Sequence, residues 1–294
     1  MVTVKDVAKK AGVSTATVSR VLANKPYVSP HTRQRVLQVV SELNYQPSRL
    51  ARNLRVQSTQ TFALLIPDIQ NPFFTALARS LGEVASANGY TLLLANSYDD
   101  RERECAHASV FRAEGVAGVV ICVSSEDESC LHSGELSKDD MAIVAVDRQV
   151  KNIDVDVVLT DNVEGAYQAT CHLIARGHER IGIIAGPDYF APGRERRQGY
   201  EKALTEHRLG VYPDFVKVTD FKMPAARQAA IELLRLSPRP TALFVSSSVM
   251  TLAALPVIRD FGLRIPDDLA LVCFDDADWT AAMNPPLTVV VQPI

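Results

Sequence analysis

The chain has 294 residues, 47% of them hydrophobic and 22% charged, with a net charge of −3. That composition fits a soluble globular protein, long enough to bury a sizeable core and to hold more than one domain. It leaves no room for a membrane-spanning helix, because no apolar run reaches the length of about 18 residues that one needs. The N-terminus MVTVKDVAKK has no apolar signal core, and the five cysteines are odd in number without a C-x-x-C pair. A reduced, cytoplasmic protein is therefore expected. Cys130 with His132 and Cys171 with His172 lie close in sequence, but neither has a second ligand pair, so no metal is expected.

Charge is unevenly distributed. Residues 1–57 contain ten lysines and arginines against Asp6 and Glu42, a net of +8; with −3 for the whole chain, residues 58–294 carry −11. A basic arm on an acidic body points to nucleic acid as partner.

At the N-terminus, Thr3 and Asp6 have the spacing of an N-cap and a first-turn acid, and Val4, Val7, Ala8 and Ala11 give a short helix one apolar face. Gly12 interrupts it. A second helix restarts after Ser14, turning Val18, Val21 and Leu22 inward and leaving Thr15, Ala16, Thr17, Ser19 and Arg20 outward. This is a helix-turn-helix whose second helix is slim enough for a DNA major groove and carries hydrogen-bonding groups. Ser29-Pro30 starts a third helix over 31–43, closing a small core with Val36, Val39, Val40 and Leu43. The segment 46–55, with three arginines and two leucines, reads as a linker too short to be a stable isolated helix.

From residue 61, strand-length apolar runs alternate with helical stretches. Strands are expected at Phe62–Ile66, Thr91–Ala95, Gly118–Val123, Ala142–Val146, Val155–Thr160, Ile181–Ala185, Val216–Thr219, Ala242–Ser246 and Leu269–Phe274. Helices are expected over 73–88, 101–114, 163–176, 194–207, 223–236 and 249–261. Such alternation implies parallel sheets covered on both faces, and nine strands imply two doubly wound lobes meeting at a cleft, divided near Asp161. Ligands bind outside the carboxyl ends of such strands. There the sequence places Asp68, Asn71, Phe73 and Phe74, then Asp147 and Arg148, Asp161, Phe221, Ser246–Ser248 and Asp275. Aromatics with a few carboxylates and an arginine suit a polyhydroxylated ligand.

These residues resemble the LacI/GalR family of bacterial transcription regulators. The resemblance rests on TVKDVAKKAGVSTATVSRVL, VSPHTRQRV, LNYQPSRLARNLR, IPDIQNPFF, GHERIGIIAGP, RERRQGY, IPDDLALVCFDD and PPLTVVVQP, in one colinear order over the whole chain. It implies an α/β protein with a helix-turn-helix head (1–45), a hinge or linker (46–59) whose residues 47–55 form a hinge helix, and a two-lobed body like the periplasmic binding proteins (60–294, lobes about 60–161 and 162–291). It implies that Phe73, Phe74, Asp147, Asp161, Arg196, Phe221 and Asp275 line an effector cleft, with Ser247 where members usually carry an amide. That departure leaves room for a phosphorylated sugar, which Arg194, Arg196 and Arg197 could serve. Family members continue beyond Gln292-Pro293, so a C-terminal helix and strand of the body are expected to be missing.

The expected mechanism is that of a dimeric repressor on a palindromic operator. Thr15, Ala16 and Arg20 are the candidates for base contacts, Arg20 to guanine O6/N7 and Ala16 to a thymine methyl. Thr3, Ser14, Thr17, Ser19, Arg33 and Tyr45 are the candidates for phosphate contacts. The resemblance implies that the linker, with Arg52 and Leu54, forms a helix on DNA and wedges Leu54 into the minor groove. The rivals are an α/β enzyme or a plain binding protein. The enzyme reading lacks G-x-G-x-x-G after the first strand and any G-x-x-x-x-G-K-[ST], so neither a catalytic residue nor a cofactor is expected.

Overall fold

A computed structural model of the chain describes residues 2–22, 24–45, 59–134, 136 and 141–294. It divides between Thr59 and Gln60 into two compact units.

Among the described residues the first unit holds three helices: α1 (Val4–Ala11), α2 (Thr15–Leu22) and α3 (Pro30–Glu42). Each begins where a local hydrogen bond satisfies otherwise unpaired backbone groups. The Asp6 carboxylate accepts from the Thr3 backbone N–H at 2.8 Å and its hydroxyl at 2.7 Å. The Ser14 hydroxyl accepts from the Thr17 N–H at 3.1 Å, and the Ser29 hydroxyl from the Thr32 N–H at 3.3 Å. Gly12 ends α1 in the left-handed region, at φ 62°, where a Cβ would be strained. Val7, Ala8, Ala11, Val18, Val21, Val36 and Val39 form the buried core, while Val4, Leu22, Val40 and Leu43 are half-buried around it.

The second unit contains two five-stranded parallel sheets. In the first the order is β2-β1-β3-β4-β5, with β1 Thr61–Ile66, β2 Thr91–Asn96, β3 Gly118–Ile121, β4 Ala142–Val146 and β5 Asp156–Val158. In the second the order is β10-β9-β8-β6-β7, with β6 Ile181–Ala185, β7 Val216–Val218, β8 Ala242–Val245, β9 Ala270–Phe274 and β10 Thr288–Val290. Helices α4 (Pro72–Ala87) and α5 (Arg101–Glu114) belong to the first lobe. Helices α6 (Asn162–Ala175), α7 (Ala191–Glu206), α8 (Met223–Arg235), α9 (Ser248–Asp260) and α10 (Asp278–Ala282) belong to the second.

Strand periodicity puts alternate residues into different cores. From β1, Ala63 and Leu65 join Phe111, Val119 and Ile121 on one face, and Leu64 and Ile66 join Phe74, Cys122 and Val146 on the other. The second sheet does the same, Leu243 and Val245 packing toward α8 and α9, Phe244 and Ala242 toward α6 and α7.

The structure departs from the sequence expectation at several ends. β3 stops at Ile121 and β5 shrinks to three exposed residues at a sheet edge. α7 starts at Ala191 rather than 194, because Pro192 is at home in a first helical turn. The short strand β10 and the five-residue α10 were not expected; neither is long enough to show a period.

Candidate functional site

Between the two lobes of the second unit lies a cleft of about 570 Å³, lined by the carboxyl ends of the strands and the loops that follow them. From the first lobe come Asp68, Asn71, Phe73, Phe74, Tyr98, Asp99, Asp147 and Arg148. From the second come Arg196, Phe221, Ser247, Ser248, Asp275, Trp279 and Gln292.

The aromatic part is fixed by the backbone. The Asn71 side chain accepts the Phe73 N–H at 3.0 Å and starts α4, so Phe73 and Phe74 project from its first turn, packed edge to face with centroids 5.0 Å apart. Phe221 lies against Gly186 so closely that a Cβ there would come within 2.0 Å of the ring. Tyr98, Asp99, Asp147, Phe221 and Asp275 all have φ between 58° and 72°. Left-handed backbone at a non-glycine residue costs about 1–3 kcal/mol and clusters at functional sites.

Each lobe contributes one buried guanidinium. Arg196 donates through Nε to Asn162 Oδ1 and through Nη1 to the Ser246 carbonyl, both at 2.8 Å. It lies 3.8 Å over the Phe274 ring and 3.6 Å from Asp275. Arg148 donates to Asp99 Oδ1 at 2.6 Å and to the Val123 carbonyl at 2.9 Å, with Asp147 4.0 Å away. Burial works against the Arg148 charge, but the surrounding Cys122, Asp99 and Asp147 outweigh it and hold the proton on. Burial pushes the Asp147 carboxyl above its ordinary value, although Arg148 and Arg196 oppose the shift. Burial also raises the thiols beneath, Cys122 well above its usual range and Cys273 to about 12. Neither sulfur is a nucleophile at neutral pH. Ser248, at the first turn of α9, has a buried hydroxyl without a partner, and Ser247 makes no side-chain cap.

Phe73, Phe74, Asp147, Arg196, Phe221, Ser247 and Asp275 thus line one cleft. Asp161 does not line it: its carboxylate caps α6, accepting the Glu164 N–H at 3.0 Å. A first-turn acid after a strand reads the same in sequence whether it caps or binds. Arg194 and Arg197 are also elsewhere, held by Glu126 and the Asp188 carbonyl and by Asp188 and Glu201. Arg148, placed by the sequence at the end of its strand, also lines the cleft, while Asp99, Trp279 and Gln292 were missed as site residues.

In the first unit, α2 exposes Thr15, Ala16 and Arg20, with Thr17 and Ser19 half-buried. Thr3 and Ser14 are exposed but serve as caps. Arg33 is committed internally, donating to Asn24 Oδ1 and the Lys25 carbonyl, both at 2.6 Å, which fastens the loop between α2 and α3. Tyr45 packs on the rim of the core. Arg52 and Leu54 lie outside the described residues. Among the described residues no helix is long and apolar enough to cross a membrane, and no His/Cys/Asp/Glu group could hold a metal.

A helix-turn-helix with an exposed polar and cationic second helix, in one chain with a two-lobed body around a ligand-sized cleft, defines a ligand-responsive DNA-binding transcription regulator. Residues 3–48 match the model of bacterial regulatory proteins of the lacI family, and residues 59–290 that of periplasmic binding proteins and the sugar binding domain of the LacI family. The chain belongs to the LacI family. It is 39% identical to the ribose operon repressor of Halalkalibacterium halodurans, over all of this chain and 86% of that one. It is 35% identical to the transcriptional repressor PurR of Aliivibrio salmonicida, over all of this chain and 88% of that one. The lac repressor dimer, solved bound to operator and the anti-inducer ONPF, superposes with a TM-score of 0.88 at 26% identity, covering 99% of this chain and 87% of that one. The two relatives are transcriptional repressors, not enzymes.

Proposed function

We propose that this regulator is a cytoplasmic repressor, dimeric on a palindromic operator, controlled by an uncharged monosaccharide of pentose size, with ribose the leading candidate. It catalyses no reaction. The observation that carries the effector is the pairing of both cleft guanidiniums with carboxylates, Arg148 with Asp99 and Arg196 with Asp275. Guanidiniums already paired leave donors and acceptors that a ligand of hydroxyls, each both donor and acceptor, can satisfy. A phosphate would instead call for cations free of carboxylates; Arg194 and Arg197 are held elsewhere, which leaves Lys222, exposed on the cleft lining, as the cation that would have to serve it. Phe73, Phe74 and Phe221 supply faces for the sugar's C–H groups, and the orphan Ser248 hydroxyl a further polar contact. The 39% identical relative is named for the ribose operon, in support of that sugar.

On the DNA side, Thr15, Ala16 and Arg20 read bases from the major groove, because they are the exposed residues of α2. The lac repressor dimer on its operator supports two heads on two half-sites. Titration calorimetry with D-ribose and ribose 5-phosphate, alongside fluorescence anisotropy on an operator selected from random duplexes, tests the whole reading. Ribose should bind and change operator affinity while the phosphate binds far more weakly; the reverse order of affinities would overturn it. Ribose recovered unchanged after incubation excludes turnover.

A further inference from the structure

Glu126 stands on the loop after β3, in the first lobe, with its side chain fully buried. The loop is anchored from behind by another buried carboxylate, Glu104 on α5, which accepts the backbone N–H groups of Ser124 and Cys130. His132, bonded to Ser129 and to the Lys151 carbonyl, ties the same loop sideways. So held, Glu126 reaches across to the second lobe. Its Oε1 accepts the backbone N–H of Ala191, the first residue of α7, and its Oε2 lies 3.5 Å from Arg194 Nη2 and 4.0 Å from Lys151 Nζ. One residue earlier, the Phe190 ring sits 3.5 Å from the guanidinium of Arg148, which belongs to the first lobe. The first lobe thus grips two consecutive residues of the second, at the start of the helix that carries Arg196 into the cleft.

We infer that Glu126 is a closure latch, a positioning residue that holds the lobes together at the N-terminus of α7 and so sets how readily the cleft is occupied. A carboxylate on a helix N-terminus makes a charge-assisted bond favoured by the helix dipole. Parting the lobes would break that bond and its pairing with Arg194. Without the latch the ligand must itself bring about closure, and its apparent affinity falls by the fraction of molecules already closed. This inference rests on the reading that the cleft takes a sugar.

The test uses the full chain, Glu126→Ala and Glu126→Gln, with D-ribose as probe. Hydrogen–deuterium exchange is read on the peptide spanning 188–194 without ligand, ribose affinity by calorimetry, and overall stability by urea midpoint. In Glu126→Ala the 188–194 amides should exchange faster and ribose affinity should fall by roughly tenfold to a hundredfold. Glu126→Gln, which keeps an acceptor oxygen but no charge, should recover part of both. Unchanged exchange and affinity in the alanine variant would overturn the latch. A rise in exchange over the whole body, with a collapsed urea midpoint and no recovery in the glutamine variant, would also overturn it by marking Glu126 as a folding residue. If wild type fails to bind ribose while the exchange change stays local, the sugar reading falls and the latch stands.

Discussion

Arg196 and Asp275 lie 3.6 Å apart on the cleft floor, yet each is anchored independently of the other. Arg196 is fixed by Asn162, the Ser246 carbonyl and the Phe274 ring, and Asp275 accepts from Gln292, whose amide oxygen in turn accepts from the Thr160 hydroxyl. The pair is therefore presented to a ligand already aligned, and a conservative exchange cannot reproduce it.

Arg196→Ala should remove the effector response, leave effector-free operator binding in place, and lower body stability by about 3 kcal/mol, since it strands a buried Asp275. Arg196→Lys should bind effector little better than the alanine variant, because an ammonium lacks the planar fork that meets Asn162 and Ser246 together. Calorimetry, operator anisotropy and urea unfolding check the three parts. Loss of operator binding together with effector binding would mark Arg196 as structural.

Effector affinity should weaken on acidification sooner than an ordinary carboxylate would allow. Burial raises the Asp147 pKa, so the folded protein takes up this proton at a higher pH than the unfolded chain. In the proposed complex, ligand hydroxyls donate to the ionised form, so binding would release the proton and affinity would fall as pH drops through the raised value. Stability moves the other way, gaining as the buried carboxyl is neutralised. Asp147→Asn should flatten the affinity profile, and an affinity constant from neutrality down to about pH 4 in the wild type would refute the assignment.

Arg20→Ala should relax base preference at one symmetric position in each half-site, at a cost of about 1–3 kcal/mol there. Site selection from a random duplex library measures it. A uniform loss across all sequences would make Arg20 a phosphate contact instead.

Arg33→Ala should loosen the loop between α2 and α3, lowering the melting temperature of the head's transition, without changing the salt dependence of operator binding. A phosphate contact would instead reduce the slope of log affinity against log salt by about one.

The fold was legible because it is written in periods. Leu64 and Ile66 alternate with Ala63 and Leu65, and Val7, Ala8 and Ala11 recur at helical spacing. The cleft was legible wherever a residue follows a strand directly, as Asp147 and Asp275 do, or within a few residues, as Phe221 does after β7. It was not legible where one residue type has two uses. Asp161 and Asn71 both follow strands and both cap helices, but only Asn71 also faces the cleft. Arg33, the expected phosphate contact, also has a second use that its sequence neighbours do not show, because its partners Asn24 and Lys25 are brought round by the turn. Gln292 and Trp279 gave no signal because the elements around them are too short to have a period.

The left-handed backbone at Tyr98, Asp99, Asp147, Phe221 and Asp275 narrows how this receptor can be retuned. Branched side chains cannot follow the main chain there, and glycine would relieve the strain while removing a side chain from the cleft lining. A change of ligand preference by single substitution is thereby channelled to neighbours with ordinary backbone, Ser247 and Ser248 first among them. Glycine substitutions made for heat resistance should therefore divide into two groups: those at Asn24, Asn44, Asn152 and Arg208, equally left-handed but outside the cleft, would leave the proposed effector response intact, and those at the five cleft positions would blunt it.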